Sequence, residues 1–239
     1  MINIIIPMAG MGSRFASAGY SKPKPFIDVK GKPMIVRVIE NLGIHNAKYI
    51  LIARKEHLEA EKELVETIKK DYPVEFVSID KLTEGAACTA LFAHKYINND
   101  DPLLIANSDQ IVDINIQEYI DDCMERGLDG SILTFYSNNA KWSYAKLDSE
   151  NIVVEVKEKE VISNNATVGI YYFAKGSNFV NSALDMIIRN DRVNNEFYVC
   201  PTYNYVIKDG AKIGIYNISE AAMHGTGTPE DLNKYLELI

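Results

Sequence analysis

Three observations predict a three-layer α/β/α fold with a mostly parallel, Rossmann-like sheet and a mixed or antiparallel extension. Short apolar runs alternate with helically spaced stretches through the first half of the chain, a glycine turn follows the first run, and the rhythm changes after residue 129. The apolar runs 2–7, 49–53, 74–79 and 102–106 are each bounded by turn residues and read as strands. Between them, 34–42, 56–70 and 86–97 carry helical spacing. In the last, Ala87, Ala90, Leu91 and His94 fall at i, i+3, i+4 and i+7, one face of a helix. Strand, helix and strand in succession make parallel βαβ units.

Past residue 129, strand-like pieces at 130–136, 143–147, 152–157 and 167–173 are separated by turns rather than helices, which predicts the antiparallel extension. Helical spacing returns around 179–189 and 198–208, a strand follows at 212–217, and Pro229 at a first helical position opens a terminal helix to Leu238. No long linker, low-complexity run or internal repeat divides the chain, so a single domain over 1–239 is expected.

With 239 residues, 47% of them apolar and 24% charged, the chain suits an ordinary globule with a sizeable core. Its net charge of −8 argues against a nucleic-acid or anionic membrane surface, so any phosphate site must be a local cationic pocket. Small-molecule partners are therefore expected, with the chain a monomer or homo-oligomer. The first apolar run lacks a basic flank and is broken by Pro7, too short for a signal sequence or a membrane span; a cytoplasmic location is expected. Cys88, Cys123 and Cys200 are widely spaced without a C-x-x-C, which suggests neither zinc nor a disulfide framework.

The turn MAGMGSRF, residues 8–15, has half of a G-x-G-x-x-G pattern. A dinucleotide site needs an uninterrupted helix after the glycines and an acid ending the second strand. Here Pro23 and Pro25 cut any such helix short, and the second strand ends in Arg54 and Lys55. A triphosphate loop accounts for more residues, because glycines let backbone N–H groups approach anionic oxygens and Arg14 and Lys24 add mobile charge. One cation about 4 Å from a phosphate charge gains roughly 4 kcal/mol at an effective dielectric near 20, before desolvation.

GSRF followed by PKPF and GKPM resembles the nucleotidyltransferase family that makes nucleoside diphosphate sugars and related activated metabolites. The resemblance continues through Glu84–Gly85, the NSD at 107–109, Glu158–Lys159, the TVGIY strand from Thr167 and GTPEDL at 227–232. It implies the nucleotide-diphospho-sugar transferase type of fold, with 1–129 as the nucleotide-binding half and 130–239 as the acceptor-binding half. In such enzymes Met8, Ala9, Gly10, Met11, Gly12, Ser13 and Arg14 embrace a triphosphate, and Lys24 holds the α-phosphate and the incoming phosphate. Asp109 resembles the family's Mg²⁺ ligand, with Asn107 and Ser108 orienting it or touching the ribose.

Glu84, Gly85 and Ala86 match the loop with which the family reads the base. An acid there accepts from an exocyclic amino group, which cytosine and adenine both offer, and this tilts the reading mildly toward CTP; otherwise Glu84 only decorates the first helical turn. Lys159 would meet the acceptor's phosphate and Glu158 a polar group of the acceptor, unless the KEKE run is simply a solvated face. Thr167 and Gly169 lie on the acceptor side by the same resemblance, and Trp142 and Tyr144 either line that pocket or belong to the core.

Sugar-specific relatives carry W-x-D-x before the GTP, and that aspartate completes the metal site. This chain reads MHGT, with Gly225 at the matching position, so either His224 helps bind the metal or another acid such as Glu196 does. IPMAGMGSRF, NEFYV and MHGTGTPEDL look closer to a branch of bacterial capsule pathways whose acceptor is phosphorylated on an amide nitrogen. No acetyltransferase or left-handed β-helix segment follows residue 239, so a monofunctional enzyme is expected. The alternatives are a sugar-1-phosphate nucleotidyltransferase and a non-catalytic nucleotide sensor.

Overall fold

Successive side chains of a strand point to opposite faces, and the first strand, β1 (Ile2–Pro7), divides its isoleucines accordingly. Ile4 and Ile6 join one buried core and Ile5 the other. The computed structural model, which describes all residues 1–239, extends this division across a nine-stranded sheet.

From β1 the chain passes through a short helix, α1 (Ser13–Ser17), and a 3-10 turn (Lys24–Phe26). The hairpin β2 (Asp28–Val29) and β3 (Lys32–Pro33) then leads into α2 (Met34–Leu42). Next come β4 (Ala47–Arg54), α3 (Lys55–Ala60), α4 (Lys62–Asp71), β5 (Val74–Ile79), α5 (Ala86–Leu91), α6 (His94–Ile97) and β6 (Leu103–Ala106). β7 (Gln110–Val112) and α7 (Ile116–Glu125) close the first half. The second half contains β8 (Gly130–Tyr136), β9 (Ser143–Leu147), β10 (Val153–Glu158), β11 (Asn165–Phe173), α8 (Gly176–Ile188) and α9 (Thr202–Lys208). It ends with β12 (Ile213–Ile218), β13 (Met223–Gly225) and α10 (Pro229–Leu238).

Strands β6, β1, β4 and β5 lie side by side in parallel. β11 then pairs antiparallel with both β6 and β8, and β12 runs parallel to β8. The β9–β10 hairpin joins through Ala166 of β11 opposite Tyr144. Buried residues of α2, α4 and α7 cover one face, and those of α5, α6, α8 and α9 the other. The expected three-layer architecture is therefore present. Chain order reverses at β1, which has β4 on one side and β6 on the other, so a crevice opens past its carboxyl end.

Several elements differ from the sequence reading. The helical stretch 56–70 is divided at Glu61, and the stretch 86–97 breaks at Phe92 and Ala93. That second break moves the buried face, so His94 is exposed while Ala93 and Ile97 enter the core. α9 starts at Thr202, directly after Pro201, rather than at 198. The sequence reading missed α7, although Asn115 caps it by accepting from the Gln117 N–H at 3.0 Å and Ile116, Tyr119, Ile120 and Cys123 form its buried face. No helix is long and apolar enough to cross a membrane.

All three cysteines are free thiols, and burial pushes Cys123 up to about 12 and Cys200 higher still. Because the thiolate is the reactive form, iodoacetamide at about pH 8 is expected to label only the half-buried Cys88, and slowly, in the folded protein. Peptide mapping before and after urea unfolding checks this; rapid native labelling of Cys200 would contradict its burial.

Candidate active site

At the carboxyl end of β1, Met8 and Ala9 are buried and the chain turns outward through Gly10, Met11 and Gly12. Gly12 adopts φ 62°, and a Cβ there would lie 3.2 Å from Cβ of Lys24. No backbone carbonyl or side chain of the protein takes the N–H groups of Gly10, Met11 and Gly12, so they remain free to bind an anion. Ser13 and Arg14 follow in α1, which buried Phe15 anchors with its ring edge-on to Tyr20.

The 3-10 turn buries Pro25 and Phe26 and thereby directs Lys24 into the same crevice, where its Nζ donates to Asp109 Oδ2. Both side chains of this ion pair are largely buried. Asp109 follows β6 and is held from the far end of the chain. Thr226 donates to its carbonyl from N at 2.8 Å and from Oγ1 at 3.0 Å, and a Cβ on Gly227 would lie 2.7 Å from its Oδ2. Asn107 donates its N–H to the Gly169 carbonyl at 3.0 Å. Gly169 has φ 94°, and a Cβ there would lie 2.8 Å from Cγ of Asn107 and closer still to its amide nitrogen. The cleft between these loops has a volume of about 660 Å³, and Asn107, Ser108, Asp109, Lys24 and residues 7–15 all line it.

Leu82, Thr83, Gly85, Ala86 and Thr89 form another wall. The hydroxyls of Thr83 and Thr89 donate to the Gly85 carbonyl at 3.0 and 3.1 Å, which fixes the loop where it enters α5. Glu84 does not face the cleft as expected. Its carboxylate is 65% exposed and pairs with Arg192 at 3.0 Å, because the Glu84 carbonyl is tied to the Phe197 N–H and its side chain turns outward. Gly85 thus lines the cleft while the Glu84 carboxylate does not, and the carboxylate argument for CTP loses its basis.

Glu196 and Tyr198 line the opposite side. Lys159, exposed and in the left-handed region at φ 57°, donates to the Tyr198 hydroxyl at 2.6 Å, a bond that raises its pKa. Burial raises the Glu158 carboxyl, which accepts from Ser143. Tyr144 is a core residue, not a pocket residue; strand alternation in β9 turns it inward, and its hydroxyl donates to the Asn139 carbonyl at 2.8 Å. Trp142 packs edge-on against Phe135 beside the same core. Thr167 is also buried, 3.1 Å from the Tyr171 hydroxyl, and does not line the cleft.

His224 likewise lies outside the cleft. β13 pairs with β7, which sets His224 across from Ile111, and its Nε2 is 2.7 Å from Asp113 Oδ2 with Tyr235 beside the ring. Of the acids named from sequence, Asp109 and Glu196 line the cleft, and no three His, Cys, Asp or Glu side chains cluster to form an all-protein metal cage. Two carboxylates are the hard oxygen donors that suit Mg²⁺ when phosphate oxygens and water complete its shell. The sequence reading missed Leu82, Thr83, Thr89, Tyr198 and the contact of Gly227 with Asp109; Tyr198 and Gly227 lie in the NEFYV and GTPEDL landmarks, but spacing along the chain does not show what they touch.

A model of the family described as nucleotidyl transferase matches residues 3–198. The bifunctional protein GlmU of Methanococcus maripaludis is 28% identical over 195 residues, which is 80% of this chain and 44% of that protein. The mannose-1-phosphate guanylyltransferase catalytic subunit beta of Xenopus tropicalis is 26% identical over 183 residues, 71% of this chain and 49% of that one. The chain thus spans about half the length of the curated relatives it matches. The crystal structure of a nucleoside-diphosphate-sugar pyrophosphorylase from Vibrio cholerae superposes with a TM-score of 0.86 at 22% identity, covering 98% of this chain and 99% of that one.

Gly169→Ala would force a side chain into the left-handed region and against Asn107. It is expected to cost about 1–3 kcal/mol, read as a lower urea midpoint with an unchanged slope. Wild-type stability would show that Asn107 yields freely and is not held by this contact.

Proposed function

The chain belongs to the nucleotidyl transferase family, and on that premise we propose that it transfers a nucleoside monophosphate from an NTP to a phosphorylated small metabolite, releasing pyrophosphate. One observation carries the reading: a turn of free backbone N–H groups and the Lys24–Asp109 pair open onto one cleft. The turn suits a polyanion, and in a chain of net charge −8 such a local cationic site is what phosphate binding requires.

Gly10, Met11, Gly12 and Ser13 offer N–H groups to the triphosphate, and Arg14 adds charge. Lys24, drawn from Asp109 by the phosphates, bridges the α-phosphate and the incoming phosphate oxygen. That oxygen attacks the α-phosphorus, a new P–O bond forms, and the bond to the β-phosphate breaks with its electron pair leaving on pyrophosphate. Positioning and charge neutralisation suffice, so no covalent nucleophile is needed. Asp109, with Glu196 as a second oxygen donor, would hold Mg²⁺, which would further neutralise phosphate charge. Asn107 and Ser108 face the ribose, and Glu158 and Lys159 the acceptor.

Within this class we infer a cytidylyltransferase that uses CTP and an acceptor of the phosphoglutamine kind, as in the CTP:phosphoglutamine cytidylyltransferase of capsule modification. The landmarks NEFYV and MHGTGTPEDL support it. A sugar 1-phosphate acceptor is the second reading, favoured by the guanylyltransferase relatives. Pyrophosphate release with Mg²⁺, the four NTPs crossed against phosphoglutamine, phosphocholine, phosphonates and sugar 1-phosphates, separates the two. Saturable NTP binding with no release from any pair would favour a nucleotide sensor instead.

Removing a preorganised cation at the reacting phosphate costs about 10²-fold or more in turnover, so Lys24→Ala is expected to fall by that much. Near-normal turnover would remove Lys24 from the chemistry. Asp109→Asn is expected to raise the Mg²⁺ concentration needed for half-maximal rate several-fold; an unchanged titration would take Asp109 out of the metal's shell.

A further inference from the structure

Two segments far apart in sequence, the loop around Gly85 that lines the cleft and the Glu158–Lys159 pair just beyond its lining, are joined by one short segment. Phe197, 1% exposed, gives both of its backbone groups to the base-side loop. Its N–H donates to the Glu84 carbonyl at 2.7 Å and its carbonyl accepts from the Ala87 N–H at 3.0 Å. The approach is so close that a Cβ on Gly85 would lie 2.6 Å from the Phe197 nitrogen. From outside, the Arg192 guanidinium covers the Phe197 ring at 4.3 Å and pairs with Glu84 at 3.0 Å.

Between these anchors, Asn194 and Asn195 have φ of 49° and 64°, as a two-residue type I′ turn requires. Val193 and Glu196 exchange N–H to carbonyl bonds of 3.0 and 2.9 Å around it, which presents Glu196 to the cleft. The next residue after Phe197, Tyr198, takes the Lys159 ammonium on its hydroxyl and has it 4.7 Å from the ring centre. Lys159 in turn donates its backbone N–H to the Trp142 carbonyl at 3.0 Å. A continuous path of direct contacts therefore leads from Gly85 through Phe197 and Tyr198 to Lys159 and Trp142.

We propose that the segment from Arg192 to Tyr198 is a positioning strap that sets the acceptor side of the cleft relative to the base-side loop, with Arg192 and Phe197 as its positioning residues. This rests on the nucleotidyl-transfer reading and deepens it. In-line transfer depends on the spacing of two phosphates brought by two substrates, and small misplacements are costly. An exposed ion pair alone is worth little, so Arg192 acts through the combination of its pair with Glu84 and its stacking on Phe197.

Trp142 is the only tryptophan and sits at the acceptor end of the path, so its emission reports there without any acceptor. Addition of CTP with Mg²⁺, or of whichever NTP supports turnover, is expected to change that emission saturably in the wild type. In Arg192→Ala the amplitude is expected to fall about threefold or more at saturating nucleotide, while calorimetry still finds the nucleotide bound. With the acceptor that turns over, the same variant raises KM for both substrates about fivefold or more and changes kcat about threefold at most. Arg192→Lys, which keeps the charge and loses the planar stack, should recover part of the response.

Where Arg192→Ala does not fold, Glu84→Gln removes the same ion pair from its exposed partner. An undiminished Trp142 response in these variants, no response in a wild type that turns over, or a KM change confined to the nucleotide would overturn the strap. A wild-type chain that binds no NTP and releases no pyrophosphate would instead refute the nucleotidyl-transfer reading, and the strap with it.

Discussion

The ion pair between Lys24 and Asp109 joins two loops whose partners lie 85 positions apart in the chain, and the rest of the cleft is arranged around it. Each member reaches the pair on a rigid support. Lys24 rides on a 3-10 turn whose Pro25 and Phe26 are buried, and Asp109 lies just past the fully buried strand β6 and is clasped by Thr226. Removing two charges from water is costly unless each keeps a partner. The pair meets that condition, and in the proposed reaction phosphate would take over the lysine, leaving the carboxylate to hold a metal.

Around this pair the binding surface is built largely from backbone. The bend at Gly12, the loop at Gly85 and the close approach of Gly227 to Asp109 all depend on residues that lack a Cβ, and the N–H groups of residues 10–12 stay free beside them. The side chains then serve to hold the backbone in place. Thr83 and Thr89 fix the Gly85 carbonyl, and Phe15 and Phe26 anchor the pieces that flank the glycine turn. Such a design tolerates an acidic exterior, because the free N–H groups, Arg14 and Lys24 are gathered in a cleft placed where strand order reverses beside β1.

Much of the fold was legible because it rests on local periodicity. The strands of the first half and the antiparallel pieces of the second emerge close to their expected bounds. What failed was also local in cause: the break at Phe92 and Ala93 turned His94 to solvent, and α7 was overlooked despite its Asn115 cap. The glycine turn, Lys24 and Asp109 carry recognisable motifs, and the structure sets all three along one cleft. Glu84, Tyr144, Thr167 and His224 were misplaced because their direction is set by partners the motifs do not contain: Arg192, the inward face of β9, the Tyr171 hydroxyl and Asp113.

By itself the sequence determined the alternation of strands and helices, the family's landmarks and the residue types gathered for phosphate chemistry, since hydrophobic period and turn chemistry are properties of neighbouring residues. Only the tertiary structure decided which carboxylates share the cleft with Lys24 and that residues 192–198 touch both the Gly85 loop and Lys159. Those outcomes depend on strand pairing and side-chain direction between segments far apart in the chain, where no spacing along the sequence records which groups will meet.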